Sequence, residues 1–188
     1  MEEATLTSPA VSEVCEPQNV IDGFEAMFER YGPELLRYSM QLTRNGADAD
    51  DLHQETFLKA YRAFDRLDAE ANHRAWLYRI ATNTFLSSRR KLSRIEALND
   101  EAPIAAPSHD HAAQLDARSL LLDVEAFIDE LPAKQRIALT LRKYHELDYA
   151  EIAVALRCTE PAARANVHEG LRKLRVRFGE RLQAVASN

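Results

Sequence analysis

Asp48-Ala-Asp-Asp-Leu-His-Gln-Glu-Thr-Phe-Leu-Lys-Ala-Tyr-Arg-Ala-Phe64 reads as an amphipathic helix with a different task on each face. Asp48 is a candidate N-cap, and Asp50 and Asp51 put carboxylates in the first turn, where the positive end of the helix dipole favours them. Residues three and four apart share a face. Leu52, Thr56, Ala60 and Phe64 therefore form an apolar stripe for a core, while Asp51, Gln54, Glu55, Leu58 and Arg62 line a second stripe that packing does not require. Such carboxylates cap and solvate a helix, and the same stripe is free to hold a partner.

Working outward, composition sets bounds. The 188 residues suit one or two small domains, and 46% hydrophobic content is enough for a core in each. No apolar run is long enough to span a bilayer, and the start Met-Glu-Glu-Ala-Thr lacks the basic and apolar parts of a secretory signal. A cytoplasmic protein without direct membrane insertion is the expectation. The two cysteines, Cys15 and Cys158, belong to no CxxC or Cys/His ligand pattern, so no disulfide or metal framework is expected. A net charge of −6 argues against indiscriminate nucleic-acid binding. The distribution is more informative. Arg89, Arg90, Lys91 and Arg94 cluster without an acid, and a second basic run extends from Arg164 to Arg181.

Residues 1–20 carry four glutamates, no Lys or Arg and no sustained periodicity, and read as a flexible acidic tail. Phe24, Met27, Phe28 and Tyr31 then recur at helical spacing. Gly32-Pro33 interrupts the run, and Leu35, Leu36, Met40 and Leu42 resume it, which predicts a bent helix or a helix pair. Asn45-Gly46 reads as a stop before the opening helix. After a polar loop, Asn72 can cap a helix from His73 to about Arg90. Its buried stripe is Trp76, Leu77, Ile80, Ala81, Thr84 and Phe85, beside a stripe of Arg79, Asn83, Leu86 and Arg90.

Residues 96–119, with Pro103 and Pro107, form a linker. Its His109-Asp110-His111 triplet has no further ligands in view and is not read as a metal site. Apolar periodicity returns with Leu120, Leu121, Val124, Phe127, Ile128 and Leu131. Pro132 opens a helix carrying Ile137, Ala138, Leu141 and Tyr144. Asp148-Tyr-Ala-Glu151 is a capping box ahead of a short helix with Ile152, Ala153 and Leu156. Thr159 caps a last long helix whose inward residues are Ala163, Val167, Leu171, Leu174 and Phe178. Two helices joined by a short turn, the second basic and outward-facing, form a helix-turn-helix.

The fold class is thus all-α, with two small helical domains joined by a flexible linker: residues 21–95 and 120–188 flanking 96–119. In the second domain, Arg164, Asn166 and His168 stand where a recognition helix meets base edges, and Thr159 and Arg172 stand beside them. In the first, the basic end at Arg89 to Arg94 suits single-stranded or melted DNA. Trp76 lies on the apolar stripe and belongs to the core rather than to a stacking platform. No Gly-rich phosphate loop, nucleophile elbow or metal-ligand spacing is present, so neither an enzyme nor a cofactor is expected.

Four segments carry a family resemblance. Asp51-Leu-His-Gln-Glu-Thr-Phe-Leu-Lys-Ala60, Arg74-Ala-Trp-Leu-Tyr-Arg-Ile-Ala-Thr-Asn83, Leu131-Pro-Ala-Lys-Gln-Arg136 and Leu147-Asp-Tyr-Ala-Glu-Ile-Ala153 resemble signatures of bacterial sigma-70 factors. They occur in the family's order and spacing, over about residues 22–95 and 120–180. The two-domain layout is similar to that of the extracytoplasmic-function group. The resemblance implies a dissociable, non-catalytic initiation subunit of RNA polymerase, built from a region 2 bundle and a region 4 helix-turn-helix. By position, Asp51, Gln54, Glu55 and Leu58 would meet the clamp coiled coil of the largest core subunit, with the flap as a further core contact. Arg79, Asn83, Arg89, Arg90, Lys91 and Arg94 would hold the unpaired minus-ten strand, Asn83 at a flipped base. Thr159, Arg164, Asn166, His168 and Arg172 would meet the minus-thirty-five duplex. An anti-sigma factor is the further partner implied. The alternative is a stand-alone helix-turn-helix regulator, which leaves the first domain without a task.

The sequence also departs from the family pattern. Arg157 replaces the usual turn glycine, Ala162-Ala163 replaces a Thr-Val pair, and Asn166 and Glu169 stand where basic residues are common. Glu169 repels phosphate. Either the upstream element differs from the group's usual one, or Glu169 accepts a hydrogen bond from a cytosine amino group. Cys158, where the family has a small apolar residue, reads as packing rather than a redox sensor.

Overall fold

The computed structural model describes residues 17–68, 70–98 and 117–186, which form seven helices and no strand. α1 is Pro17–Thr43, α2 Gly46–Phe64 and α3 His73–Leu98. α4 is Ala117–Glu130, α5 Ala133–Tyr144, α6 Tyr149–Leu156 and α7 Glu160–Ala186. The all-helical expectation holds. Residues 1–16 of the acidic tail and most of the expected linker, with His109, Asp110 and His111, lie outside the described residues.

Several boundaries differ from the sequence reading. α1 starts at Pro17, inside the expected tail, and proline is well tolerated at a first helical position. It then runs unbroken through Gly32-Pro33, where a bend or two helices were expected. Burial on both sides of the proline explains this: Met27 before it and Leu35, Tyr38 and Leu42 after it are all buried. Breaking the helix would expose part of that set. The Gly32 carbonyl is also met by His53 Nε2 of α2 at 3.1 Å. The turn after α1 is made by Arg44, at φ 59°, and the next residue caps α2. Asn45 Oδ1 accepts from Ala47 N at 2.9 Å, so the N-cap is Asn45 rather than Asp48, which sits in the first turn. α3 runs two turns beyond Arg90, to Leu98.

Aromatic edges join α1 and α2: Phe24 packs on Phe57, Tyr61 and Phe64, and Phe28 on Phe57. The predicted core stripe of α2 is buried at Leu52, Thr56 and Ala60, with Phe64 partly buried against the same cluster. α3 is enclosed more fully than one stripe allows. Ala75, Trp76, Leu77 and Tyr78, four successive residues covering a whole turn, are all buried. A helix buried all round has neighbours on every side, and here the extra neighbour is α6.

In the second half α7 packs on α4, α5 and α6. Gly170 makes the approach to α5 close: a Cβ there would lie 3.6 Å from Leu139 and 3.7 Å from the Gln135 carbonyl. Ile137, Leu141, Ile152 and Val167 are essentially inaccessible, and each contributes roughly 1.5–3 kcal/mol of burial. Two residues expected on apolar stripes face outward instead, Leu121 at 63% and Tyr144 at 59% exposure. For α4 the covering helix is α7, and it takes up Phe127, whose ring meets Phe178 edge-on, leaving Leu121 on the open side.

The turn between α6 and α7 is specified locally. Asp148 accepts from Glu151 N at 2.8 Å while Glu151 accepts from Asp148 N at 2.9 Å, which is the capping box read from sequence. α6 ends at Arg157, in the left-handed region at φ 50°. Glycine adopts that conformation without strain, so the missing turn glycine leaves its geometry intact and its steric relief absent.

Candidate nucleic-acid interface

On α2, Asp51, Gln54, Glu55, Leu58 and Arg62 are all exposed on one side, as their spacing predicted. Two neighbours add to that surface. Lys59 Nζ lies 2.7 Å from Glu55 and donates to Thr84 of α3 at 3.0 Å, tying the stripe to the next helix. Tyr61, 49% exposed, lies with Leu58, 56% exposed, as apolar surface among the carboxylates.

On α3, Arg79 and Asn83 share a shallow depression with Lys59, Ala63, Trp76, Ile80, Thr84 and Ser87. Asn83 and Arg79 are half-buried among these residues. Trp76 is 8% exposed, in keeping with a core role, although its edge reaches this floor. Lys59 was missed as a member because its neighbours on α3 are not visible from α2 alone. Arg89, Arg90, Lys91 and Arg94 follow on the exposed end of the helix, Arg90 Nε donating to its own Leu86 carbonyl at 3.1 Å. Among the described residues Arg79, Arg89, Arg90, Lys91 and Arg94 are in no ion pair, and they give this edge its positive charge.

On α7 the outward stripe is Glu160, Pro161, Arg164, Ala165 and His168, which line one shallow surface. Asn166 is not on it. Two residues after Arg164 it stands about 200° round the helix, half-buried, with its amide donating to the Ala162 carbonyl at 2.8 Å. The sequence placed Asn166 beside Arg164 and His168; helical periodicity separates them. Thr159 Oγ1 accepts from Ala162 N at 3.4 Å, a long cap. Arg172 is exposed, and its Nε lies 2.9 Å from Glu169, so the unexpected carboxylate in this helix has a partner within its own helix. Cys158 is partly buried against the core, and burial pushes its thiol up, the packing role rather than a reactive one.

The two halves meet through a polar relay that sequence reasoning did not find. Arg74 forks onto Glu34 and also donates to the His145 carbonyl. Tyr78 donates to Glu34 at 2.8 Å and lies 2.7 Å from His145 Nδ1, whose Nε2 is 2.7 Å from the Gln41 amide. Burial pushes His145 down to about 4; Glu34 opposes this, and Arg74 and Arg37 reinforce it. A neutral imidazole fixes the donors. Gln41 Oε1 accepts from Nε2–H, which leaves Nδ1 as the acceptor nitrogen beside the Tyr78 hydroxyl, whose proton lies between it and Glu34. Burial raises the Glu34 carboxyl, but the Arg74 and Tyr78 hydrogen bonds outweigh it and hold the group below its ordinary value. Around this relay, Asn72 donates to Glu151 at 3.0 Å and Arg44 pairs with Asp129 at 3.2 Å.

Among the described residues no cluster of side chains could hold a metal ion, and no helix is long and apolar enough to cross a membrane. The chain matches family models for Sigma-70 region 2 over residues 27–95 and for Sigma-70, region 4 over residues 121–174. It is 33% identical to RNA polymerase sigma factor CarQ of Myxococcus xanthus, over 85% of this chain and 91% of that protein. It is 30% identical to ECF RNA polymerase sigma factor SigE of Mycolicibacterium smegmatis, over 90% of this chain and 66% of the relative. Its structure superposes on sigma factor RpoE from Bartonella quintana, solved with the anti-sigma factor NepR, at a TM-score of 0.69 and 26% identity, covering 86% of this chain and 98% of that one. The chain belongs to the sigma-70 family, in its extracytoplasmic-function group.

Proposed function

We propose that the protein binds RNA polymerase core and directs promoter recognition, melting and transcription initiation, without catalysis of its own and in the cytoplasm. The observation that carries this reading is the pairing, on one chain, of an exposed basic edge beside the Arg79–Asn83 depression with an outward basic helix in a helix-turn-helix. One suits an unpaired strand and the other a duplex major groove. Residues 21–95 serve core binding and the minus-ten strand, and residues 120–188 serve the minus-thirty-five duplex. The linker of 96–119 lets both engage, after the acidic tail of 1–20. Asp51, Gln54, Glu55 and Leu58 form the contact with the clamp coiled coil of the largest core subunit. An anti-sigma factor is the regulatory partner, a reading supported by the NepR-bound relative.

Two promoter elements about 25 base pairs apart lie about 85 Å apart at 3.4 Å per base pair, whereas α3 and α6 touch in this structure. The relay between Tyr78 and His145 must therefore open when both elements are bound. Assembly with purified bacterial core polymerase on size exclusion tests the proposal. Glu55→Lys should weaken assembly by reversing a charge on an exposed stripe, at a stability cost of no more than about 1 kcal/mol from replacing the Lys59 ion pair with a like-charge pair; failure of the unaltered chain to co-elute with core would contradict the proposal.

A further inference from the structure

On the outward face of α7, Arg164 is held from two different elements. Its Nη2 lies 2.9 Å from Glu160 Oε1, one turn earlier on the same helix, and its guanidinium carbon lies 4.3 Å from the centre of the Tyr149 ring on α6. Tyr149 is itself fixed. It is the first residue of α6, directly behind the Asp148 cap, and Arg142 of α5 lies 5.0 Å from its ring centre while donating to the Leu147 carbonyl at 2.9 Å.

Two other residues expected at the duplex are held differently, whereas Lys173 and Arg181 are tied away from it, to Gln135 of α5 and Asp123 of α4. Arg172 is tied only within α7, to Glu169, and the Asn166 amide is spent on its own backbone. An exposed ion pair alone restrains little. An ion pair combined with a stacked aromatic ring fixes both the edge and the plane of a guanidinium. Glu160 occupies one edge of Arg164, and the residue opens onto the shallow surface that Pro161, Ala165 and His168 also line.

Resting on the reading of α7 as the duplex-reading helix, we propose that Tyr149 and Glu160 are positioning residues that pre-align Arg164 to read a guanine in the upstream promoter element. Guanine presents O6 and N7 side by side in the major groove, the pair of acceptors that a planar guanidinium meets bidentately. Pre-alignment removes rotamer freedom before binding, so the gain appears as discrimination at one base pair. Glu160 adds to it by opposing phosphate, which lowers sequence-independent binding.

The test uses the full chain assembled with core polymerase and a pool of duplexes randomised over the upstream element, sequenced after selection. The wild-type holoenzyme should enrich guanine at one position by about 5- to 150-fold over other bases, the range of one bidentate contact. Arg164→Ala should abolish that preference. Glu160→Gln and Tyr149→Leu should reduce it several-fold at that position alone, and Tyr149→Phe, which keeps the ring, should retain it. Enrichment that survives Arg164→Ala, or a loss spread evenly over all positions in Glu160→Gln, would overturn the proposal while leaving the sigma reading standing. A wild-type holoenzyme that selects no upstream duplex at all would overturn both. Glu160 is an exposed helix residue, so its variant keeps the test decisive even if Tyr149→Leu folds poorly.

Discussion

The Tyr78 hydroxyl lies 2.7 Å from His145 Nδ1, joining a helix of the first half to the turn between α5 and α6 across a buried boundary. The two residues are 67 positions apart in sequence, and each has further polar partners, Glu34 for Tyr78 and Gln41 for His145. The boundary is therefore set by directional bonds as well as apolar burial.

Removing the Tyr78 hydroxyl leaves a carboxylate and an imidazole nitrogen short of a partner in a poorly solvated place. Tyr78→Phe should destabilise the chain by about 1–3 kcal/mol, measured as a lowered urea midpoint. Because the relay joins both halves, amide exchange should quicken in α3 and α6 together.

His145 gives stability a pH dependence with a definite sign. Its folded pKa is pushed from 6.5 to about 4, so between these values the unfolded chain takes up a proton that the folded chain does not. Stability is fully present above the unfolded value and falls as pH drops through this window, by up to about 3 kcal/mol. Glu34 adds a second loss at lower pH, since its folded pKa lies below the ordinary 4.5. His145→Gln should flatten the first phase and keep the second, read from urea midpoints from neutral pH down to below the ordinary carboxyl value.

Arg157 holds a left-handed conformation at φ 50° where only glycine is unstrained. Arg157→Gly should raise stability by up to about 1 kcal/mol, the steric relief being partly offset by the greater entropy of an unfolded glycine. A thermal melt that falls instead would show that the Arg157 side chain carries a contact of its own.

Asn83 sits at the wall of the depression on α3 with Arg79 and Lys59. Asn83→Ala should change the preferred base in short single strands by about 5-fold, the worth of one hydrogen bond, with little change in average affinity. Competition among oligonucleotides differing at one base, bound to the holoenzyme, measures this. Equal losses on every oligonucleotide would mean a structural role.

Local signals made much of this molecule legible. The Asp148–Glu151 capping box, the Pro132 start of α5 and the Leu52, Thr56, Ala60 stripe all depend on residues within a turn or two of each other. The misses have a common physical cause. Gly32-Pro33 reads as a break until the buried residues on both sides are known to share one face, and Asp48 looks like a cap only while Arg44 is not known to turn the chain. Tyr78 and His145 carry no periodic signal that pairs them, because their partner faces come from opposite ends of the chain. The site residues were readable as stripes. Asn166 lies about 200° round the helix from Arg164 and so off its stripe, and Lys59 joins the depression only through contact with α3.

Run-off transcription from promoter-bearing templates, with bacterial core polymerase and the full chain as the only added factor, tests the central claim most directly. Discrete transcripts should appear only when the protein is present, starting downstream of paired upstream and melted elements, and should fade with Glu55→Lys. Core polymerase that is not stimulated on any template of a genomic library, by a chain that binds duplex DNA equally well without polymerase, would contradict it and favour a stand-alone regulator.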